Sequence, residues 1–555
     1  MNPGRGVLLR PLSQVVTGEV RPALLTLLGA VGLVLLIACA NVANLLLVRA
    51  SLRERELAVR TAIGGSRGAL VSQTLAEALV ISSAGAALGL ALAYAGIQEL
   101  RSLAPPTLPR LDAIAIDPLV IAFTALAALA SAGLFGIVPA LRASRPDIAI
   151  VLRGSSRTTG LGNAGMLRNV VVVAEVALSF VLLIGSGLMV RSFLELQRID
   201  PGFDSRHLLT FLTLGGRRGI QPPERAAWVR DLESKLRAIP GVRSATAANP
   251  FPLADPFSPI RWGLAPALTD PSKFQAVDAI LVLPGYFETM RTPIVAGRGF
   301  TQADNAEDRD VAVVDQLLAA KAFPNQSAVG KRILIRIRKL EPEWVEIIGV
   351  AAHVRGNSLA APGREQVYLT DGYAGHGQIA RWALRVNGDP AQLAAAVRDT
   401  VNRHDSHMVL MEMQPMETLL GRAQAATRFQ LLLIAVFAGI AAILAGVGLY
   451  GVLATLVRQR TAEIGVRMAL GAAPAGIFQL IVGHGLRLSA AGILVGLAAA
   501  AGLTRVMASM LVGVKPTDPA TYAAMVLLFL LIAAIASWLP ARRAATLDPT
   551  IALRN

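Results

Sequence analysis

The sequence predicts a polytopic α-helical membrane protein, with about seven transmembrane helices and a large mixed α/β extracytoplasmic domain. Three observations lead to this prediction: the composition, the long apolar stretches and the placement of the basic residues. Of 555 residues, 54% are hydrophobic and 16% are charged, and the mean hydropathy is +0.54. Soluble globular chains usually hold about 25% charged residues. The composition therefore argues against an ordinary cytosolic enzyme. It excludes a disordered chain, because there is ample apolar surface to bury.

Seven apolar stretches are each long enough to cross a bilayer, which takes about 20 helical residues. We place them at residues 24–48, 74–97, 118–139, 170–190, 430–456, 476–502 and 521–540. One such stretch could be a buried helix of a soluble protein, but seven in one chain favour membrane spans. The single cysteine, Cys39, lies in the first stretch and excludes an intramolecular disulfide.

The basic residues orient these spans. Sixteen arginines lie in the loops after the first, third and fifth spans and in the C-terminal tail, whereas residues 98–117 and 504–519 hold only four Lys and Arg. Because short cytoplasmic loops are enriched in Lys and Arg, the arginine-rich loops are predicted to be cytoplasmic and the N-terminus and residues 191–429 to lie outside. Residues 191–427 hold 28 Lys and Arg against 25 Asp and Glu, so most of the net charge of +16 belongs to the membrane segments. A nucleic-acid partner is therefore not expected.

The chain contains an internal repeat. The segment RERELAVRTAIG at residues 53–64 returns as RTAEIGVRMALG at residues 460–471, 407 positions later. After the next loop the offset becomes 401 and pairs Asp117-Pro118 with Asp518-Pro519. Chance similarity between apolar segments does not explain polar residues that match within loops. The repeat predicts two three-span modules with the same orientation.

Each copy of the repeat carries a glutamate four residues before an arginine: Glu56 and Arg60, and Glu463 and Arg467. Such a pair stabilises an exposed helix by about 0.2–0.5 kcal/mol, and the glycines at positions 64 and 471 would end that helix. One interpretation is a solvated helix that only follows the orientation rule. Because the same residues recur in both copies, we favour a docking element for a cytoplasmic partner.

Pairs of glycines four residues apart occupy equivalent positions in the two modules: Gly85 and Gly89, and Gly492 and Gly496. Small residues at this spacing let membrane helices approach closely. We expect these glycines to serve helix packing, with a hinge or conduit as the alternative.

Ionisable residues within spans are candidates for function, and four qualify: Glu77, Glu175, His484 and Arg487. The two glutamates lie near the predicted span ends, where contact with the interface costs little. The histidine takes the repeat position of Glu77, so the charge type differs between the copies, which argues against proton or ion coupling. Asn41 and Asn44 are expected to bond a neighbouring helix or reach the interface.

No catalytic, cofactor-binding or metal-binding residue is predicted. The chain has no ATP-binding P-loop, since Asn325 stands where a glycine would have to precede Gly330-Lys331. The G-x-G-x-x-G match at residues 160–165 follows no predicted strand, so we interpret it as a flexible linker. The six histidines show no metal-ligand spacing.

The large segment at residues 191–429 is predicted to be a mixed α/β domain. Strands are expected at 310–315, 345–350, 381–386 and 408–413, and helices at 223–238 and 390–403. Proline, glycine and aspartate between residues 249 and 309 predict loops. Since no catalytic constellation stands out, a binding or force-transmitting role fits better than an enzyme.

Two groups of motifs resemble a known family. The repeated Glu56…Arg60-x-Ala62-x-Gly64 and Glu463…Arg467-x-Ala469-x-Gly471 resemble the FtsX-like permease domain of MacB-type ABC transporters. Five further motifs resemble the MacB-type periplasmic core domain: GYF at 285–287, GRGF at 297–300, VAVV at 311–314, GKR at 330–332 and IIGV at 347–350. The duplicated arrangement is similar to the acidobacterial duplicated permeases, and the resemblance covers nearly the whole sequence.

The resemblance implies a division of the chain. Its parts are a remnant of a first periplasmic domain (1–22), a first permease module (23–153), a cytoplasmic linker (154–169), a transmembrane helix (170–190), a periplasmic core domain (191–429) and a second permease module (430–555). The duplicated family form begins with a further span and a further periplasmic domain. We therefore expect an N-terminally shortened version, or a misassigned start site.

The resemblance also implies partners and a mechanism. A dimer of a separate cytoplasmic ABC ATPase would dock around Glu56, Arg60, Ala62, Gly64, Glu463, Arg467, Ala469 and Gly471. ATP-driven closure of that dimer would move the spans and transmit force to the periplasmic domain. The chain would be a non-catalytic subunit of the bacterial inner membrane that needs no cofactor. Its other partners would be the lipid bilayer and a periplasmic adaptor or envelope protein.

Two alternative functions remain open at this point. An FtsX-like scaffold or regulator would couple an ATPase to an envelope enzyme. An ion-driven secondary transporter would need a polar site at the middle of the membrane, and the repeated cytoplasmic motif argues against it.

Overall fold

The computed structural model describes residues 21–52, 67–103, 114–143, 161–215 and 221–547, apart from residues 258, 340 and 362. The chain divides into two compact units. The membrane unit comprises Met1–Glu195 and Ala426–Asn555, and the sheet unit comprises Leu196–Ala425.

The described ranges hold thirteen α-helices and eleven β-strands. The helices are α1 (Arg21–Leu52), α2 (Arg67–Leu103), α3 (Pro118–Ala143), α4 (Leu161–Arg198), α5 (Pro222–Arg237), α6 (Pro266–Thr269), α7 (Tyr286–Met290), α8 (Gln316–Ala322), α9 (Ala394–His404), α10 (Met416–Gln459), α11 (Thr461–Ala469), α12 (Pro474–Leu503) and α13 (Pro519–Ala545). The strands are β1 (Leu208–Gly215), β2 (Val242–Asn249), β3 (Pro259–Gly263), β4 (Gln275–Val282), β5 (Ile294–Gly297), β6 (Val311–Asp315), β7 (Arg332–Arg336), β8 (Glu343–Ala351), β9 (Gln366–Thr370), β10 (Arg381–Val386) and β11 (Met408–Pro415).

The predicted spans are helical. In the part of the chain that the structure describes, six helices are long and apolar enough to cross a membrane: Leu24–Val42, Leu79–Ser102, Arg168–Arg198, Thr427–Gln459, Pro474–Leu503 and Pro519–Ala545. The remaining predicted span lies on α3, a 26-residue helix with an apolar segment at Pro118–Ala130. These helices confirm the prediction of a polytopic α-helical membrane protein.

The prediction of a flexible linker at residues 160–165, within the linker 154–169, is wrong for its described part. Helix α4 begins at Leu161 and runs for 38 residues to Arg198. A glycine inside a helix costs about 1 kcal/mol relative to alanine. The cost of the two glycines at positions 162 and 165 is outweighed by the burial of the apolar residues that follow in the same helix.

Helix α4 is the centre of the membrane unit. Most of its side chains between Val172 and Met189 are buried, and among them Val172, Val176, Phe180, Ile184 and Leu188 follow one another at intervals of four residues. This spacing places them on one face of the helix, where they pack in a common core with residues of α10, α12 and α13. The rings of Phe180 and Phe529 meet edge to face, with centroids 5.9 Å apart.

The repeat is visible at the starts of α3 and α13. The Asp117 carboxylate accepts a hydrogen bond from the backbone N–H of Val120 at 2.8 Å, and the Asp518 carboxylate accepts one from that of Thr521 at 2.8 Å. In both helices the next residue is a proline, which has no N–H to satisfy in the first turn. The Asp-Pro pairs that the sequence repeats are therefore matching helix starts.

The sheet unit is built on a single sheet. The strand order is β11-β1-β10-β2-β4-β3-β7-β8-β6-β9, and β5 pairs with β8. The segments β1-α5-β2 and β10-α9-β11 contribute four mutually antiparallel neighbours in the order β11-β1-β10-β2. This is the split βαβ, ferredoxin-like arrangement. Both helices cover one face, through Leu232 and Leu236 of α5 and Val397 and Val401 of α9.

The chain between β2 and β10 forms the other half of the sheet. Strand β4 pairs with β3 and, in parallel, with β9, so that β4, β3, β7, β8, β6 and β9 close into a ring. Its interior is filled by apolar side chains such as Val277, Val314, Ile333 and Val345.

Most predicted elements of this unit are confirmed. Strands β6, β8, β10 and β11 and helices α5 and α9 lie where the sequence predicts them. The prediction of loops at residues 249–309 is wrong, because β3, β4 and β5 lie there. The prolines that suggested loops are compatible with strands, since Pro259 is the first residue of β3, a position where no ladder N–H is needed.

Candidate functional site

The short helix α11 joins the spans α10 and α12. It is anchored by Ile464, whose side chain is 2% exposed and belongs to the core of the membrane unit. On its outer face Oε1 of Glu463 lies 2.6 Å from Nη2 of Arg467, and about half of each side chain is exposed. An exposed ion pair adds little to folding stability. Its charges therefore remain accessible on a helix whose opposite face is fixed.

Gly471 ends α11 in a Schellman motif. Its φ of +92° lies in the left-handed region that side chains disfavour. The N–H of Gly471 donates to the carbonyl of Met468 at 3.0 Å, and the N–H of Ala472 donates to that of Arg467 at 2.9 Å. The glycine that the repeat places here is therefore required by the backbone.

The helix end presents apolar side chains beside the ion pair. Leu470 is 83% exposed and Val466 is 44% exposed, and Ala469 between them is also exposed. Sequence reasoning did not select Leu470 and Val466. A signal was available, since the repeat offset places Ile63 and Val59 at the equivalent positions. Apolar side chains next to paired charges, on an anchored helix, are typical of a surface that contacts another protein.

The first copy of this element, with Glu56, Arg60, Ala62 and Gly64, falls in residues 53–66 and so lies outside the described residues. In the second copy the structure brings Glu463 and Arg467 together, with Ala469 and Gly471 one turn further on. The docking role of both copies stays a prediction.

The two glycine pairs differ in their surroundings. A Cβ atom at Gly492 would lie 2.6 Å from Cβ of Val176, and one at Gly496 would lie 3.0 Å from the carbonyl oxygen of Ala177. In α12 these glycines therefore give the close approach to α4 that the sequence predicts. At Gly85 and Gly89 no described atom lies within 4 Å of such a Cβ. The expected packing is therefore not seen in the first module, where no described helix takes the place of α4 against α2.

Glu175 is buried inside the membrane unit. Its side chain is 1% exposed, and its Oε1 accepts a hydrogen bond of 2.5 Å from Nδ2 of Asn41. The same Nδ2 also donates to the carbonyl of Leu444 at 2.9 Å. Asn41 bonds neighbouring helices as expected, and it links α1 of the first module to α4 and to α10 of the second.

The other ionisable candidates differ in their exposure. His484 is half-buried and its Nε2 has no hydrogen-bond partner in the described ranges, while Arg487 is exposed. Glu77 is half-buried. The side chain of Asn44 lies outside the described part.

Comparison with known families accounts for most of the chain. The family model described as FtsX-like permease C-terminal matches twice, at residues 28–148 and 435–549. The model described as MacB-like periplasmic core domain matches residues 171–404. The double match coincides with the two copies of the internal repeat.

Two relatives and one solved structure are similar to parts of this chain. The pyoverdine export ATP-binding/permease protein PvdT of Pseudomonas syringae is 29% identical over 279 residues, which cover 47% of this chain and 40% of PvdT. The uncharacterized ABC transporter permease YknZ of Bacillus subtilis is 27% identical over 49% of this chain and 68% of its own length. A crystal structure of the periplasmic region of MacB from Actinobacillus actinomycetemcomitans aligns with 40% of this chain and 92% of that region, at 13% identity and a TM-score of 0.27.

The matched segment thus spans about two fifths of PvdT and two thirds of YknZ. Together the two family models match both permease modules and the domain between them. The chain therefore belongs to the MacB-type ABC transporter permeases, with FtsX-like permease domains and a MacB-like periplasmic core domain, and is a multi-pass membrane protein.

Proposed function

We propose that this chain is the membrane subunit of a MacB/FtsX-type ABC transporter in the bacterial inner membrane. ATP hydrolysis by a separate cytoplasmic ATPase dimer would drive conformational change in the periplasmic domain, for export or mechanotransmission. Support comes from the double match to the permease model and from relatives named as ATP-binding/permease proteins. The 555 residues contain no P-loop motif, so in this proposal the chain is non-catalytic and a partner supplies nucleotide binding.

We assign residues 23–153 and 430–555 to the two permease modules and 191–429 to the periplasmic core domain. Residues 154–169 would lie in the cytoplasm, and residues 1–22 would be the remnant of a first periplasmic domain. The bilayer surrounds the modules, and a periplasmic adaptor or envelope protein is the further partner.

The observation that carries the proposal is the surface of α11. Ile464 fixes the helix to the membrane unit, and Leu470 presents an apolar side chain at the end of the same helix. Because a buried anchor and an exposed contact belong to a single two-turn helix, a push on the contact moves the spans that the anchor holds. We assign Glu463, Arg467, Ala469 and Gly471, with their repeat counterparts Glu56, Arg60, Ala62 and Gly64, to ATPase docking.

Co-purification from the native membrane, followed by ATPase assays of the reconstituted complex, tests this assignment. Leu470→Ser should weaken recovery of the ATPase and its stimulation by the permease by about tenfold, since burying one leucine side chain contributes about 1.5–3 kcal/mol. Leu268→Ser is the matched control, because Leu268 is 52% exposed in the sheet unit. Stimulation that is the same in both variants would contradict docking at α11.

Charge reversal tests the ion pair separately. Glu463→Arg and Arg467→Glu should each reduce stimulation, because each places like charges at positions i and i+4 and changes the charge offered to the partner. The double exchange restores the pair within α11. Recovery in the double variant would assign the pair to holding the helix, whereas continued loss would assign the charges to the contact with the ATPase.

A further inference from the structure

A cavity of about 180 Å³ lies at one end of the ferredoxin-like half of the sheet unit. Its lining comes from four separate parts of the chain: His207 before β1, Arg243 on β2, Arg291 after α7, and residues 385–388 at the end of β10. A water molecule takes up about 30 Å³ of liquid, so the cavity has room for a small ion or head group. Sites for whole small molecules usually measure about 300–1,000 Å³, so the cavity is too small for a complete exported compound.

Arg385 is built into the wall of this cavity. Its side chain is 5% exposed. Its Nε donates to the carbonyl of Thr289 at 2.6 Å, and its two Nη atoms donate to the carbonyls of Arg206 and Asp204 at 2.7 Å each. Three backbone contacts hold the guanidinium in a fixed position, so its charge is presented to the cavity with little loss of side-chain freedom.

Positive charge exceeds negative charge around the cavity. None of the described residues that line the cavity is a carboxylate. Asp204 lies next to the lining and is shared by Arg206 at 3.3 Å, Arg291 at 2.8 Å and Arg385 at 3.8 Å. Arg243 uses Nε to bond the Asn387 side chain, and its Nη atoms bond no described residue. Arg206, Arg291 and Arg385 share this carboxylate and Arg243 pairs with no described one, so three of the four positive charges are uncompensated.

The charges in the wall affect one another. Burial lowers the pKa of Arg385, Asp204 opposes that effect, and the positive charges of Arg291, Arg206 and Arg243 lower the pKa further. Positive charges this close together, with one carboxylate among them, repel one another and raise the free energy of the folded domain. A bound anion would lower that free energy again.

We propose that the pocket of Arg243, Arg291 and Arg385 binds a doubly charged, phosphate-type oxyanion. A phosphomonoester carries about −1.5 to −2 charges at pH 7 and three acceptor oxygens. It therefore matches three guanidinium groups better than a singly charged carboxylate would. Guanidinium forks match phosphate oxygens in pairs. The ion is either free phosphate or the phosphate group of a larger molecule. This site does not depend on ATPase docking at α11.

Isothermal titration calorimetry of the full chain in a non-ionic maltoside detergent tests the proposal, with inorganic phosphate, glycerol 1-phosphate and acetate at equal ionic strength. Phosphate or glycerol phosphate should bind, and acetate should bind at least about tenfold more weakly. Tighter binding of inorganic phosphate would identify the free ion, and tighter binding of glycerol phosphate would identify a phosphorylated head group. Acetate binding as strongly as both would overturn the proposal.

Variants locate the site. Arg243→Gln and Arg291→Gln should each weaken phosphate binding about tenfold, since each removes charge-assisted hydrogen bonds, while thermal unfolding of the chain stays near that of the wild type. Arg398→Gln, an exposed arginine of α9 outside the cavity, is the matched control and should bind as the wild type does. Equal binding in all three variants would overturn the assignment.

Discussion

At the scale of single residues, the least expected contact is the pair of Asn41 and Glu175. Both side chains are buried among membrane helices, at 7% and 1% exposure. Polar groups in such a position must find partners inside the protein, because lipid offers none. Asn41 meets this need for two acceptors at once, the Glu175 carboxyl and the Leu444 carbonyl. It is therefore a point at which the two modules hold each other.

Asn41→Ala should destabilise the membrane unit by about 0.6–1.7 kcal/mol, between the average and the largest value measured for polar contacts between membrane helices. The reason is that it leaves two buried acceptors without their donor. Thermal unfolding in detergent measures the effect. Thr124→Ala is the control, because the Thr124 hydroxyl donates only to the Val120 carbonyl of its own helix. Equal stability of the two variants would contradict a link between modules at Asn41.

Asp304 gives the sheet unit a dependence on acid. Its carboxylate bonds both Nη atoms of Arg298, at 2.6 and 3.0 Å, and accepts from the Thr301 hydroxyl at 2.6 Å. The hydrogen bonds from Arg298, with those from Thr301 and against the effect of burial, lower the pKa of Asp304 from 3.8 to about 2. A depressed carboxyl pKa stabilises the fold fully above the ordinary pKa.

The stability that Asp304 contributes, at most about 2 kcal/mol, should therefore disappear as the pH falls from about 4 to about 2. Asp304→Asn should remove it at neutral pH and flatten that part of the pH profile of thermal unfolding. Asp308→Asn, at an exposed position four residues on, should leave the profile unchanged. A profile for Asp304→Asn with the wild-type slope would rule out this source of acid sensitivity.

At the scale of elements, the structure makes α4 and α12 an inseparable pair. Glycines replace side chains where the two helices touch, so that the backbone of α12 approaches Val173, Val176 and Ala177 of α4. Dispersion contacts at this distance are lost quickly when helices separate. We expect movement of α12 to carry α4 with it.

Gly492→Ala should destabilise the membrane unit by about 1–3 kcal/mol, because the added methyl group overlaps Val176. Gly483→Ala on the same helix is the matched control, since no described atom lies within 4 Å of the added Cβ. There the higher helix propensity of alanine should leave stability unchanged or raise it. Thermal unfolding measures the stability of both variants. Equal stability of Gly492→Ala and Gly483→Ala would refute the close contact between α4 and α12.

At the scale of the whole molecule, the single cysteine allows a direct test of the proposed topology. Along the chain, a single predicted span, in α10, lies between the sheet unit and α11. The proposed topology therefore puts α11 and the sheet unit on opposite sides of the membrane. In a Cys39→Ala background, the cysteine introduced by Arg467→Cys should react with a membrane-impermeant thiol reagent only after the cells are broken. A cysteine at His407, whose side chain is 60% exposed in the sheet unit, should react in the periplasm of cells with a permeable outer membrane.

Labelling of both positions from the same side would contradict the arrangement in which an ATPase reaches α11 from the cytoplasm. If only the cysteine at position 467 reacted from outside, the proposed orientation of the whole chain in the membrane would be reversed. Both readouts require that the variants accumulate in the membrane as the parent does, which immunoblotting verifies.

The sequence by itself determined the features that are local. A span needs about 20 consecutive apolar residues, a Schellman end needs a glycine, and a helix start needs a capping residue, so each can be recognised within one segment. The repeat doubled these signals. The strands of the region 249–309 were missed because their partners lie elsewhere in the chain, and strand pairing rather than local composition stabilises them.

Tertiary structure alone decided which distant residues meet. Asn41 and Glu175 are separated by 134 positions, β4 pairs with β9 to close the ring, and Arg243, Arg291 and Arg385 converge on one cavity. None of these residues has an unusual local pattern. Their partners are set by the packing of whole helices and strands, in which each contact depends on the burial of many apolar side chains at once.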